Sequence, residues 1–310
     1  LGGMVGAEPE PETGKGKGIA QMFNMMNEER LNTGEFALGV IGAAYYAALE
    51  HSKIRVQGRK VGAAKGDFSQ VRIIEHADVR RMLMFQKSML EAARALLYST
   101  YYAVDMSHEA EDPAERKEWH DIFMIQNPLC KAFVSDMAWR STEQCIQVHG
   151  GYGFIEEYPG AQLARDTKIH SLWEGTNFMQ AQDFTGRKFT MDGGEPFKKW
   201  MGVIEDFVAT KKIDALAPAW DMMEKGLAAF KRILAQDAAW KAAKSKEMTD
   251  LFATHMLHAG AAIYCSKCLL DQAVLAAAKL AEVGEGDVDA TFYKSKMATA
   301  TFYVMNMMPN

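Results

Sequence analysis

The sequence predicts an all-α fold: a long-helix bundle of the four-helix type, followed by a second helical bundle. Three observations predict it. Apolar residues recur at the i, i+3, i+4 spacing of amphipathic helices over most of the chain. The period-two alternation of half-buried strands is almost absent. Methionine is abundant, 21 of 310 residues, and proline is scarce at 8, a balance that long helices tolerate and turn-rich sheet folds rarely show. With 48% hydrophobic residues the chain can bury a sizeable core.

The elements follow in order. Residues 1–18 hold six Gly and two Pro and read as a linker or a strand end. Helical spacing runs from Ile19 to about Lys53. Gly58, Gly62 and Gly66, among basic residues, make 56–68 a loop. A second long helix is expected from about Ser69 to Met106. Asp112, with Pro113 next and Glu115 three places on, forms a capping-box start for a third helix running to Val148. Asn127-Pro128 is a candidate break in it, because proline disfavours helical geometry at the preceding residue. His149-Gly-Gly ends the helix. A short helix near 159–165 and a long one from Glu174 to about Phe189 follow. MDGGEP at 191–196 is the main boundary. Further helices are expected at about 197–209, 214–243, 247–283 and 287–306. The domains are therefore 1–18, 19–190 and 195–310.

Three stretches carry chemistry: MNEERLNTG at 26–34; IRVQGR at 54–59 with Glu75-His76 after it; and QVHGGYGF at 147–154 followed by RDTKIHSLWEGTN at 165–177. In this order and spacing they closely resemble the C-terminal half of flavin-dependent acyl-CoA dehydrogenases, over about residues 1–190. HGGYGF and WEGTN about twenty residues apart carry most of the specificity. QDFTGRKFTMDGG and the helical region behind it resemble the subgroup with an extra C-terminal helical domain, which includes enzymes similar to methylmercaptopropionyl-CoA dehydrogenase. The family joins an N-terminal helical domain, a small β domain and a C-terminal helical bundle. The opening LGGMVG resembles the end of that β domain. The resemblance thus implies a fragment, or one subunit of a split enzyme.

The resemblance implies a role for each motif. Glu174 matches the family's catalytic base, which removes the acyl α-proton while the flavin takes the β-hydride; desolvation makes a carboxylate basic enough for this. Trp173 stands where the family usually has Tyr. The bland reading of Glu174 is an acidic residue at a helix N-terminus. Glu29 is the alternative base, since some relatives place theirs directly before the residue matching Arg30; otherwise it is a solvated helix charge. Asn27, often Asp in the family, and Arg30 match substrate-binding positions and share a helix face. Gly175 matches a backbone N–H that polarises the thioester carbonyl.

Cofactor positions follow in the same way. Arg55 and Gln57 match residues reaching the FAD pyrophosphate, a guanidinium being suited to two phosphates. The family's Phe-Gly after this Arg is here Gly58-Arg59. His76 and Thr176 match contacts to the flavin nucleotide. Gln147, Gly150 and Gly151 match the segment whose backbone packs on the FAD adenosine diphosphate, where glycine permits close approach. Phe178 replaces the family's Gln or Glu.

A net charge of −5 argues against nucleic acid. Four Cys are too few for a disulfide framework, and with no signal peptide the expected location is cytoplasmic. No apolar run is read as a membrane span. His255, His258, Cys265 and Cys268 fall on one expected helix; its outer pair would be ~20 Å apart, so no metal site is expected. The implied partners are acyl-CoA, electron-transfer flavoprotein as electron acceptor, and either a homo-oligomer (dimer or tetramer) or a subunit supplying the missing N-terminal half. The rival from another class is a non-catalytic helical assembly subunit of a flavoprotein complex. A third reading is an acyl-CoA oxidase.

Overall fold

The computed structural model describes residues 16, 18–284 and 286–309. The expected end of a β domain at 1–18 therefore lies outside the described residues, apart from Gly16 and Gly18. Three long helices come first: α1 (Gly18–Ile54), α2 (Ala77–Glu109) and α3 (Pro113–His149). The short α4 (Gly151–Phe154), α5 (Pro159–Thr167) and α6 (Asn177–Gln182) follow. After them come α7 (Glu195–Thr210), α8 (Ala217–Ala242), α9 (Lys246–Val283) and α10 (Ala290–Asn306).

α3 is the central element, packed on both α1 and α2. Every residue from Ile125 to Ser135 is buried, so this stretch is enclosed all round rather than on one stripe. That explains Pro128. A mid-helix proline removes one hydrogen bond and costs roughly 3 kcal/mol, yet α3 runs through it, because neighbouring helices hold it on all sides. Asp112 caps α3 as expected, accepting from the Ala114 N–H at 2.9 Å. The capping box is only half made: Glu115 accepts from the Trp119 indole at 3.2 Å instead of turning back. Asp112→Ala is expected to lower stability by about 1 kcal/mol, read as a smaller urea midpoint at unchanged slope.

Two local expectations are corrected. Residues 69–76 do not begin α2. Val56–Arg59 (β1) pairs antiparallel with Gln70–Arg72 (β2), and a 3-10 turn, Ile73–Glu75, leads into α2 at Ala77. The strands are three and four residues long and mostly solvent-facing, so they show no alternation in sequence. Nor does a helix begin at Glu174. Glu174 and Gly175 have φ of 52° and 78°, outside helical space, and α6 starts after the Thr176 cap. α6 then widens into a π-helical turn, Asp183–Lys188.

One hydrophobic cluster runs through both helical regions, joining Leu31, Leu96 and Leu129 of the first three helices to Ile204, Trp220, Leu257 and Tyr303 of the last four. Trp220, fully buried, donates its indole N–H to the Val208 carbonyl at 2.9 Å. α9 differs from the sequence reading in one respect. At 38 residues, with a window of mean hydropathy 1.3, it is long and apolar enough to cross a membrane; half of that window is buried inside the protein, against α2, α8 and α10. Its His258 and Cys265 turn to separate partners, the Asp136 carboxylate and the Ala92 carbonyl. Among the described residues no cluster of three or more His, Cys, Asp or Glu is placed to hold a metal ion.

Candidate active site

The turn before α6 and the first half of α1 meet at Arg30. Arg30 is 8% exposed, and its Nε donates to the Glu174 carbonyl at 3.4 Å, across 144 residues of sequence. Its Nη1 donates to Asn27 Oδ1 at 3.5 Å, and its plane lies 5.8 Å from the Phe23 ring centre. Burial lowers the Arg30 pKa; the fields of Asp183 and Glu174 oppose that shift. Asn27, Arg30, Glu174 and Gly175 are thereby brought together.

The turn itself is strained. A non-glycine residue at φ 52° costs roughly 1–2 kcal/mol, and such outliers persist where surrounding structure over-determines them. Here Arg30 holds the Glu174 carbonyl and Gln180 Nε2 reaches the Gly175 carbonyl at 3.5 Å. Gly175 has a second reason to be glycine: a Cβ there would sit 3.0 Å from Gln180 Nε2. Thr176 then caps α6, accepting from the Met179 N–H at 3.4 Å. Glu174 is half-buried. Trp173, its neighbour in sequence, forms a ring cluster with Phe36 and His170, centroids 5.9–6.5 Å apart.

Glu29 directly precedes Arg30 on α1. It is exposed, and its field acts on the Tyr101 hydroxyl of α2, whose pKa burial and Glu35 already raise. The field of Glu174 acts instead on Arg30 and Lys131.

Behind the turn lies a buried network that the sequence reading missed. Lys131 is 0% exposed and donates to Asn177 Oδ1 at 2.8 Å. Asn177 in turn donates to Asp136 Oδ1 at 2.7 Å and Ser135 Oγ at 3.0 Å. Burial pulls the Lys131 pKa down to about 8. A lysine inside the apolar run PLCKAFV was the available signal; Asn177 and Asp136 had none.

The second group of expected residues lines a cleft of about 680 Å³ between the end of α1, the β1 hairpin and the α3–α4 junction. Arg55, Gln57, His76, Gln147, Gly150 and Gly151 all border it. Arg55 donates to Gln57 Oε1 at 3.3 Å and lies 5.6 Å from the Tyr152 ring centre. His76 Nε2 is 2.8 Å from the Gln57 carbonyl. Gly150 takes φ 62° and ψ −140°, a conformation open to glycine alone, and turns the backbone from α3 into α4. A Cβ at Gly150 or Gly151 would meet no protein atom within 4 Å, so the backbone there is bare toward the cleft. His51 and His149 stack with centroids 4.2 Å apart on the same wall. Burial, with His149 and Arg55 nearby, lowers the His51 pKa. The lining carries one arginine and three histidines and no carboxylate, a donor set that fits a phosphate-bearing cofactor such as FAD.

Residues 16–187 match the acyl-CoA dehydrogenase C-terminal domain, and residues 200–310 match the acetyl-CoA dehydrogenase C-terminal-like domain. A butyryl-CoA dehydrogenase of Syntrophomonas wolfei subsp. wolfei is 60% identical over 308 residues, 99% of this chain and 50% of that protein. 3-methylmercaptopropionyl-CoA dehydrogenase of Ruegeria pomeroyi is 32% identical over 303 residues, 94% of this chain and 48% of that protein. The chain thus spans about half the length of these relatives. In fold it is similar to acyl-CoA dehydrogenase complexed with FAD from Bacillus anthracis, with a TM-score of 0.72 at 18% identity, covering 94% of this chain and 48% of that one. It is similar also to Caenorhabditis elegans ACDH-11 in complex with C11-CoA, with a TM-score of 0.71 at 20% identity, covering 92% of this chain and 44% of that one. The fold is therefore that of the helical domains in the C-terminal part of these dehydrogenases. The chain belongs to the acyl-CoA dehydrogenase family.

Proposed function

We propose that this chain supplies the catalytic base, and part of the flavin and substrate sites, for FAD-dependent α,β-dehydrogenation of an acyl-CoA thioester to the 2-enoyl-CoA. The observation that carries the proposal is the Glu174-Gly175 turn. It is a half-buried carboxylate on a backbone held out of helical geometry by a buried arginine. Strain of this kind is kept where geometry matters to function.

Glu174 takes the α-proton. The Gly175 N–H faces the thioester carbonyl and lowers the acidity barrier by stabilising the developing enolate. Asn27 and Arg30 set the substrate end of the same site. Across the α1–α3 end, Arg55 holds phosphate charge, Gln57 and His76 brace it, and the bare backbone at Gly150 and Gly151, beside Gln147, receives the nucleotide. Thr176 contacts the flavin side of the turn. When bound, FAD accepts the β-hydride. A short linear acyl chain is the substrate class that the butyryl-CoA dehydrogenase relatives support, and electron-transfer flavoprotein is the proposed acceptor.

The test is turnover of butyryl-CoA by the flavin-loaded protein under nitrogen and under air. Formation of the 2-enoyl product is expected only with an added one-electron acceptor or electron-transfer flavoprotein. Oxygen consumption without an acceptor would make the protein an oxidase, and undiminished product from Glu174→Gln and Glu29→Gln alike would favour an assembly subunit.

A further inference from the structure

The helices after residue 195 pack on α6 and its π-helical turn, and one carboxylate carries a polar link from them toward the catalytic turn. His258, on α9, donates from Nε2 to Asp136 Oδ2 at 2.9 Å. Asp136 stands on α3, and its other oxygen accepts from Asn177 Nδ2 at 2.7 Å. Asn177 is the first residue of α6, directly after Glu174-Gly175-Thr176. The Asp136 side chain is 29% exposed, and these two bonds, with the field of the buried Lys131, hold it inward. Bonded at both oxygens from opposite sides, it is fixed. The Phe133 ring stands edge-on to the His258 imidazole, at 90° and 5.7 Å, and sets the plane from which His258 donates. A second tie lies eight residues beyond Asn177: Lys241 of α8 donates to the Thr185 carbonyl, in the π-helical turn, at 2.6 Å.

We infer that His258 is a positioning residue for Glu174, acting through Asp136 and Asn177, and that the α7–α10 region is the rear support of the catalytic turn. The inference rests on reading Glu174 as the base. Its physical basis is the steep dependence of proton transfer on placement: a displacement on the order of 1 Å costs about a hundredfold in rate. Without His258, Asp136 has one anchor, and Asn177, still bonded to Lys131 and Ser135, loses the fixed orientation of its charged acceptor, which loosens the turn.

The test measures α-proton exchange of bound butyryl-CoA in deuterated water, with kcat and KM, in the flavin-loaded protein. His258→Leu keeps volume and removes the donor; His258→Gln keeps an N–H at comparable reach. His258→Leu is expected to lower exchange and kcat about tenfold with KM within twofold, and His258→Gln to recover most of the loss. His258→Leu combined with Asp136→Ala should be no slower than Asp136→Ala alone, since both remove one linkage. Val304→Ala, at a buried site on α10, should lower the melting temperature without slowing exchange. Full exchange in His258→Leu, a failure of His258→Gln to rescue, or an equal slowing by Val304→Ala would each overturn the inference. Exchange surviving in Glu174→Gln would instead remove the base on which it rests, an outcome the His258 variants do not mimic.

Discussion

Glu174→Gln is expected to lose α-proton exchange of bound acyl-CoA by a factor on the order of 10²–10⁴, the range that a positioned general base supplies. The fold should survive. Among the described residues the Glu174 carboxylate holds no hydrogen bond; it is the Glu174 carbonyl that Arg30 grips, and glutamine keeps that carbonyl. The circular dichroism spectrum and melting temperature should therefore match the parent, while exchange measured by proton NMR falls. Glu29→Gln serves as the counter-experiment. An exposed carboxylate whose field acts on Tyr101, on another helix, should be replaceable at little cost in exchange. The reverse pattern, with Glu29→Gln inactive and Glu174→Gln active, would transfer the role to Glu29.

The second large effect concerns Lys131. An ammonium with no solvent exposure has Asn177 Oδ1, at 2.8 Å, as its one hydrogen-bond acceptor among the described residues. Asn177→Ala is expected to lower stability by about 2–3 kcal/mol, the worth of a buried hydrogen bond to a charged group. The pH dependence has a definite sign. Burial lowers the Lys131 pKa from 10.5 to about 8. Below pH 8 both the folded and unfolded states carry the proton, and the folded state bears the full cost of the buried charge. Between about 8 and 10.5 the folded state has released the proton and the unfolded state still holds it. Stability therefore rises with pH across that window. The total gain is on the order of 3 kcal/mol. Other groups titrate there too, so the readout is the difference from Lys131→Met. Urea midpoints taken from pH 7 to 10.5 should rise for the parent relative to Lys131→Met. Parallel curves would show that Lys131 is not the titrating group.

Much of this architecture was legible because helices announce themselves locally. The third helix was read as 113–148 and lies at Pro113–His149, since a capping aspartate, a proline at the first position and a closing Gly150 are properties of a few adjacent residues. α9, read as 247–283, lies at Lys246–Val283, where apolar helical spacing runs up to the closing Gly284. The β hairpin escaped notice because three- and four-residue strands facing solvent have no apolar alternation to read. Pro128 pointed to a break because its local cost is real; only burial on all sides offsets it.

The candidate site divides along the same line. The order and spacing of MNEERLNTG, IRVQGR, QVHGGYGF and WEGTN placed Asn27, Arg30, Arg55, Gly150, Glu174 and Gly175 among the residues of interest, because each motif is a short run read without knowledge of its neighbours. What the sequence alone determined was thus the helical elements, their ends and the chemistry-bearing side chains. The tertiary structure decided which of these meet. Arg30 meets the Glu174 carbonyl across 144 residues, and Asp136 meets Asn177 on one side and His258 on the other, across 41 and 122 residues. A pairing that distant leaves no periodicity, cap or spacing in the chain. It exists only because the helices pack in one arrangement and bury polar atoms that must then find one another.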